Sequence, residues 1–209
     1  MLFNSQIKVK IMTKSSISGM ASRLFIMNLL IFSLFSVASY GAGTEVKKGE
    51  VSIRVTGTST LHDWEMESSD AESEIRFRIN EDGQPEGIES VEFRLEKTTL
   101  KSDKSGLDRR AYEALNARRH PEIIFRSNGT GNIERDGDQY RTTATGDLTI
   151  GGVTRRVSVD ATCTNGDDGL ICSGSSQLKM SDFNIDPPVM FLGTLRTGDE
   201  ITVEYRIAH

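Results

Sequence analysis

Val51-Ser52-Ile53-Arg54-Val55-Thr56 and, near the other end of the chain, Ile201-Thr202-Val203-Glu204-Tyr205-Arg206-Ile207 alternate apolar and polar residues with a period of two. That period is the mark of an antiparallel strand with one dry face and one wet face. It returns between the two runs, in Ile75, Phe77 and Ile79 against Glu74, Arg76 and Arg78, then in Val91, Phe93 and Leu95, and again in Ile123 and Phe125. Only residues 101–120 break it. There Leu107, Ala111 and Leu115 recur every fourth residue, Asp108 comes early, Arg118, Arg119 and His120 come late, and Pro121 is a stop, the signature of one short amphipathic helix. One such helix covers too little to hide an open sheet, so the dry face has to be closed by the sheet itself. The expected fold is therefore all-β: an antiparallel barrel of about eight strands with a single short helix capping one end.

Strands are expected at 51–59, from 61 onward, at 73–80, around 91–95, and at 122–127, 140–150, 153–163, 170–180 and 200–207. Gly151-Gly152 is a two-residue hairpin turn, and such turns fix register. Counting outward pairs Ile150 with Val153, Leu148 with Arg155, Gly146 with Val157 and Ala144 with Val159. The dry side must be the one bearing Leu148, Ile150, Val157 and Val159, which puts Arg155 on the apolar side near the end of the barrel. A buried guanidinium needs an anionic partner, either Asp182 or a ligand head group, unless its tip snorkels into water. The loop 181–193 is apolar and carries Pro187-Pro188; it is expected to fold over the barrel mouth or pack under it. Ala144, Gly146, Gly174 and Ser176 share the inward parity and are expected to leave room inside.

The two cysteines, Cys163 and Cys172, flank a turn rich in Gly and Asp. If residues 166–169 form the loop, the pair falls directly opposite on neighbouring strands and a disulfide is expected. Residues 1–41 read as an export signal. Their charges are Lys8, Lys10, Lys14 and Arg23, an apolar run follows from 24 to 37, and small residues come after it. The run is shorter than the roughly 20 residues of a spanning helix, so no stable membrane span is expected after cleavage. What remains, one domain at 44–209, carries 21 Lys and Arg against 30 Asp and Glu, a formal charge of −9. Such a chain is repelled by phosphate backbones, which argues against nucleic acid.

The sequence contains no nucleophile elbow, phosphate loop, zinc-protease helix motif or dinucleotide fingerprint. His62, His120 and His209 are far apart and show no ligand spacing, so no metal is expected. No catalytic residue is assigned and an enzyme is not expected. Parity places Ile53, Val55, Trp64, Met66, Phe77, Val91, Phe93, Phe125, Leu148, Val159, Leu178, Val203 and Tyr205 inside the barrel, with Phe183 from the apolar loop. An interior this large and apolar suits a long lipid held by burial. His62, beside Trp64 and Met66, joins Arg155 and Asp182 as the polar candidates for a head group.

Three motifs, Gly57-Thr58-Ser59-Thr60-Leu61-His62-Asp63-Trp64, His120-Pro121-Glu122-Ile123-Ile124-Phe125 and Gly146-Asp147-Leu148-Thr149-Ile150-Gly151-Gly152-Val153-Thr154-Arg155, resemble the YceI-like proteins. Ser181-Asp182-Phe183-Asn184-Ile185 and Gly198-Asp199-Glu200-Ile201 continue the resemblance in the same order. It implies a lipocalin-like barrel exported to the periplasm of a Gram-negative bacterium, with a polyisoprenoid such as a quinone tail in the interior. It implies no catalytic residues and no cofactor beyond that bound isoprenoid or quinone. Two other readings compete. One is a filled barrel that serves as a protein-interaction module; the other is a helper in lipid modification with His62, Arg155 and Asp182 at the mouth. An exposed edge at the barrel seam offers a second copy a place to pair as a homodimer.

Overall fold

The computed structural model describes residues 43–166, 169–190 and 193–208, apart from the side chains of Thr130, Asn132 and Met190. The export-signal reading of 1–41, Phe191 and Leu192 of the apolar loop, and His209 lie outside the described residues. Among the described residues nine strands follow one another: β1 (Gly43–Ser59), β2 (Trp64–Ile79), β3 (Pro85–Glu96), β4 (Glu122–Asp136), β5 (Gln139–Ile150), β6 (Val153–Gly166), β7 (Gly169–Lys179), β8 (Val189–Met190) and β9 (Leu195–Ala208). Each of β1 to β6 pairs antiparallel with the next, β7 pairs with β9, and β1 pairs with β9. Eight strands thus close on themselves in up-and-down order, as the alternation requires, and β8 is a short addition on β9. The closed barrel lies entirely within 43–208, so it needs no strand from the preceding residues.

Two departures from the expected strands lie in the β1–β2 pair. β2 is a single long strand where the alternation suggests two, because the β1–β2 register shifts between Val51↔Ala71 and Ile53↔Ser68. The bulge puts Met66 and Ser68, and then Ala71, Ser73 and Ile75, on the same buried face. In sequence their parity flips at that point. β1 likewise begins at Gly43 rather than near Val51, since residues 43–50 pair with 72–79 of β2 as a hairpin arm that is mostly wet. The β5–β6 hairpin has the register that Gly151-Gly152 dictates, from Ile150↔Val153 through Ala144↔Val159.

The barrel has two unlike ends. At one, Tyr140, Cys163 and Cys172 are buried together, with Ile133, Leu170 and Ile207 against them. The Cys163–Cys172 disulfide joins directly opposed residues of β6 and β7. Ile75, Phe77 and Ile88 complete this plug, and the Tyr140 hydroxyl donates to Gln84 Oε1 at 3.3 Å, tying in the β2–β3 turn. At the other end are four connections, two of them long: 60–63, the helix α1 (Ser105–Ala114) with its flanks, the tight 151–152 turn and 180–194.

α1 presents Leu107, Ala111 and, just past its end, Leu115 to a cluster of Val51, Ile53, Met66, Leu95 and Leu100. Its start is held by the Asp108 carboxylate, which accepts from the Ser102 amide at 2.8 Å and hydroxyl at 2.7 Å. It stops where Asn116 turns left-handed at φ 53°. The Lys97 ammonium then takes up exposed carbonyls of that end, donating to Leu115 O at 2.9 Å and His120 O at 2.6 Å. Lys97 is fully buried, and that burial lowers its pKa from the ordinary lysine value.

Candidate functional site

β6 and β7 pair only between 162–166 and 169–173. Beyond that they diverge, and their upper halves leave an opening in the wall. Tyr205 bridges its lower part by donating its hydroxyl to the Asp160 carbonyl. Gly174 permits this, since a Cβ there would lie 2.1 Å from that carbonyl and 2.4 Å from the Tyr205 hydroxyl. Higher up, a 3-10 turn (Met180–Phe183) supplies the filling. Phe183 and Ile185 are buried among Phe125, Ala144, Leu148 and Ile150, with Val157, Val159 and Leu178 against them. The turn is held by the Asp199 carboxylate, which accepts from the Ser181 amide at 2.8 Å and hydroxyl at 2.6 Å. Those hydrogen bonds lower the Asp199 pKa from its ordinary value. Asn184 ends the turn in the left-handed region at φ 56°.

Between this turn, α1 and the upper strands lies a cavity of about 1490 Å³. That exceeds the 300–1,000 Å³ or so of pockets for compact drug-sized ligands. Its walls are Ile53, Val55, Trp64, Met66, Phe93, Leu95, Ile123, Leu148, Ile150, Leu178 and Val203, and its roof is Leu107, Ala111, Ala114 and Leu115 of the helical segment with Met180, Phe183 and Ile185 of the turn. Polar groups gather at the rim. His62 stands there with Asp63, Lys104, Arg110, Lys179 and Glu200, whose charges are of both signs. Trp64, the one tryptophan of the chain, donates from Nε1 to Thr58 O at 3.2 Å. Its ring lies so close on Gly57 that a Cβ there would sit 2.3 Å from it.

Ten of the residues picked from the sequence, nine by parity and Phe183 from the apolar loop, line this cavity: Ile53, Val55, His62, Trp64, Met66, Phe93, Leu148, Leu178, Phe183 and Val203. Phe77, Val91, Phe125, Val159 and Tyr205 also belong to the interior clusters but do not line the cavity. They belong to the packing below and beside it. Parity tells in from out but carries no information on height along the axis. Gly146 and Gly174 do not leave room as expected. A Cβ on Gly146 would meet the Arg126 carbonyl at 2.4 Å and the Phe125 ring at 2.8 Å, and the space at Gly174 is taken by Tyr205.

Arg155 is a correction. It is exposed, outside the cavity, with Nη1 donating to the Thr154 carbonyl at 3.2 Å. It shares the inward parity of its buried partner Leu148, but it stands on the stretch of β6 that has no pairing with β7, where the open wall lets the side chain reach water. Asp182 is exposed too and forms no ion pair with Arg155, whose guanidinium donates to the Thr154 carbonyl instead. His62 does reach the mouth, exposed, with Nδ1 2.9 Å from the Asp63 carbonyl. His120 instead packs its ring against Gly152. No group of three or more His, Cys, Asp or Glu side chains among the described residues is placed to hold a metal. What sequence reasoning missed is how the capping helix and the loop over the mouth are fastened. Lys97 sits in a polar run that announces nothing, and the Ser181–Asp199 contact joins two motifs whose proximity only the fold reveals.

A family profile described as YceI-like domain matches residues 42–209. The chain belongs to the YceI-like family. A UPF0312 protein of Pectobacterium atrosepticum is 38% identical over 84 residues, which is 36% of this chain and 40% of that relative's length. Among solved structures, this YceI-like barrel resembles BcnA of Burkholderia cenocepacia, with a TM-score of 0.59 at 16% identity over 75% of this chain and 94% of that one. It also resembles a polyisoprenoid binding domain from Saccharophagus degradans, with a TM-score of 0.58 at 6% identity over 78% and 97% of the two chains. At these identities the likeness is one of fold, and it agrees with the closed eight-stranded arrangement.

Proposed function

We propose that this YceI-like protein is an exported carrier, working in the periplasm, that holds one long apolar chain in the cavity between α1 and the 180–185 turn. The observation that carries the reading is the cavity itself, about 1490 Å³ with apolar walls and a polar rim. A polyisoprenoid, such as the tail of a quinone, is the ligand class that suits it: the tail is buried and gains roughly 25 cal/mol per Å² of apolar surface removed from water, and the head stays at the rim. The relative from Saccharophagus degradans, a polyisoprenoid binding domain of the same fold, supports this choice. The rim offers an exposed His62 and no activated nucleophile, so the reading is of binding without chemistry. The disulfide between Cys163 and Cys172 fits an oxidising compartment, in keeping with export by the leader at 1–41.

The test is mass spectrometry of lipid extracted from protein purified without detergent. One isoprenoid per chain is expected. A chain that carries none, and takes up none when offered polyprenyl alcohol, would return the barrel to the filled interaction module.

A further inference from the structure

Among the described residues three large hydrophobic side chains stand well exposed: Leu61 at 73%, Val189 at 56% and Val46 at 43%. Two of them share one rim. The Thr60 amide donates to the Arg196 carbonyl at 3.0 Å, and Arg196 pairs with Val189 across β8 and β9. The Thr60 hydroxyl donates to the Thr194 carbonyl at 3.1 Å, and the Thr197 amide to the Pro188 carbonyl at 3.1 Å. The 60–63 turn, the start of β9 and β8 therefore run side by side. Two strand spacings separate Leu61 from Val189, roughly 10 Å. Their neighbours His62, Asp63, Pro188, Leu195 and Thr197 line the cavity mouth, while Leu61 and Val189 themselves do not. Their apolar surface is thus turned to something outside the cavity, at the place where a ligand would enter and leave.

We propose that this rim, with Leu61 and Val189 as its apolar points, docks the cavity mouth on the surface of a lipid bilayer. The inference rests on the carrier reading, because a long isoprenoid is too insoluble to reach the cavity through water and has to be collected from a membrane. The charges select the kind of surface. The barrel region carries a formal −9, and the residues around the rim, Asp63, Lys179, Arg196, Asp199 and Glu200, are of mixed sign. Attraction to anionic head groups is therefore not the driving force. Shallow insertion of two apolar side chains into an uncharged surface is, and it gives the weak, reversible contact that a carrier needs. Val46 lies on the β1 arm at the opposite end of the barrel and serves as the control.

The experiment offers residues 42–209, the unit in which the barrel closes, vesicles of phosphatidylcholine containing polyprenyl alcohol, and follows uptake by Trp64 emission. The double variant Leu61→Asp, Val189→Asp is expected to take up lipid at least about tenfold more slowly, the loss that exposing even one such side chain implies. Val46→Asp is expected to match the parent, and added salt to leave the parent's rate unchanged. Affinity for the same alcohol delivered from cyclodextrin should be equal in all three. Equal uptake rates from vesicles with binding intact overturn the docking surface, as does uptake that occurs only when a membrane protein is added to the vesicles. Failure of the parent to bind alcohol from cyclodextrin overturns the carrier reading instead. In that case cosedimentation with ligand-free vesicles still decides docking: parent retained and double variant released supports it, and neither retained overturns it.

Discussion

The two ends of this barrel are built from the same alternating pattern and yet do opposite things. At the disulfide end the inward side chains meet across the axis. Ile75, Phe77 and Ile88 pack with Ile133, Leu170 and Ile207, and Tyr140 closes over Cys163 and Cys172. The connections there are short turns, so nothing holds the strands apart. At the other end β6 and β7 diverge, α1 and the 180–185 turn are inserted, and the space that they roof over is too large for the inward side chains to fill. A barrel of about eight strands is wide enough either to be filled or to hold one ligand. The difference teaches that the connections, rather than the strands, decide which of these happens.

If the disulfide end is a packed core and the helix end a cavity, matching truncations should behave differently. Phe77→Ala is expected to cost about 3 to 5 kcal/mol in urea unfolding, as for a large ring removed from a packed site, with lipid affinity unchanged. Phe93→Ala, on the cavity wall, should cost markedly less and weaken lipid binding. Equal losses at the two sites would break the comparison. Lys97→Met tests the fastening of the roof. It strips the cation from the Leu115 and His120 carbonyls and should cost about 3 kcal/mol, the scale of charge-assisted hydrogen bonds lost from buried acceptors, measured by the same unfolding curves. Reducing the disulfide, which closes a loop of sequence separation 9, should cost about 2.5 kcal/mol without changing affinity.

A pH experiment sharpens the contrast from the side of the turn. The Asp199 carboxylate is held below its ordinary 3.8 by the Ser181 hydroxyl and amide. A depressed carboxylate stabilises the fold above its unfolded pKa and loses that contribution as pH falls through the folded one. The protection of the Ser181 amide, the slowing of its exchange relative to the intrinsic rate at the same pH, should therefore fall below about pH 3.8, while amides of the disulfide end stay protected. In Asp199→Asn that pH-dependent fall is expected to vanish. The smallest effect is expected at Arg155, whose exposed side chain touches only its neighbour's carbonyl. Arg155→Met should change stability by less than about 0.5 kcal/mol and leave affinity unaltered.

How far the sequence could be read follows from the same physics. Hairpin register was legible at Gly151-Gly152, because a two-residue turn admits only one pairing, and the Cys163–Cys172 bridge followed from a short turn in the same way. The continuity of β2 was not, because a bulge between Ser68 and Ala71 flips the parity on which any period-two reading depends. Parity found Trp64, Met66, Phe93 and Val203 on the cavity wall but also gathered Phe77 and Tyr205, which pack elsewhere in the interior. It placed Arg155 inside because it does not register that β6 lacks its β7 neighbour there. The roof was legible as a capping helix and an apolar loop expected over the mouth or under it, but not as the ceiling of a cavity. Leu107 and Ala111 were visible as a helix face, but that this face looks onto open space depends on the divergence of β6 and β7, which no local pattern encodes.

The most direct test of a ligand-sized space at the helix end uses Trp64, the one tryptophan, which lies on the cavity wall. Its emission is to be followed while residues 42–209 are titrated with a long-chain polyprenyl alcohol from cyclodextrin. The account predicts a blue shift that saturates at one lipid per chain and is weakened in Phe93→Ala but not in Phe77→Ala. An emission spectrum that does not move at saturating lipid, or a response lost equally in both variants, would contradict it.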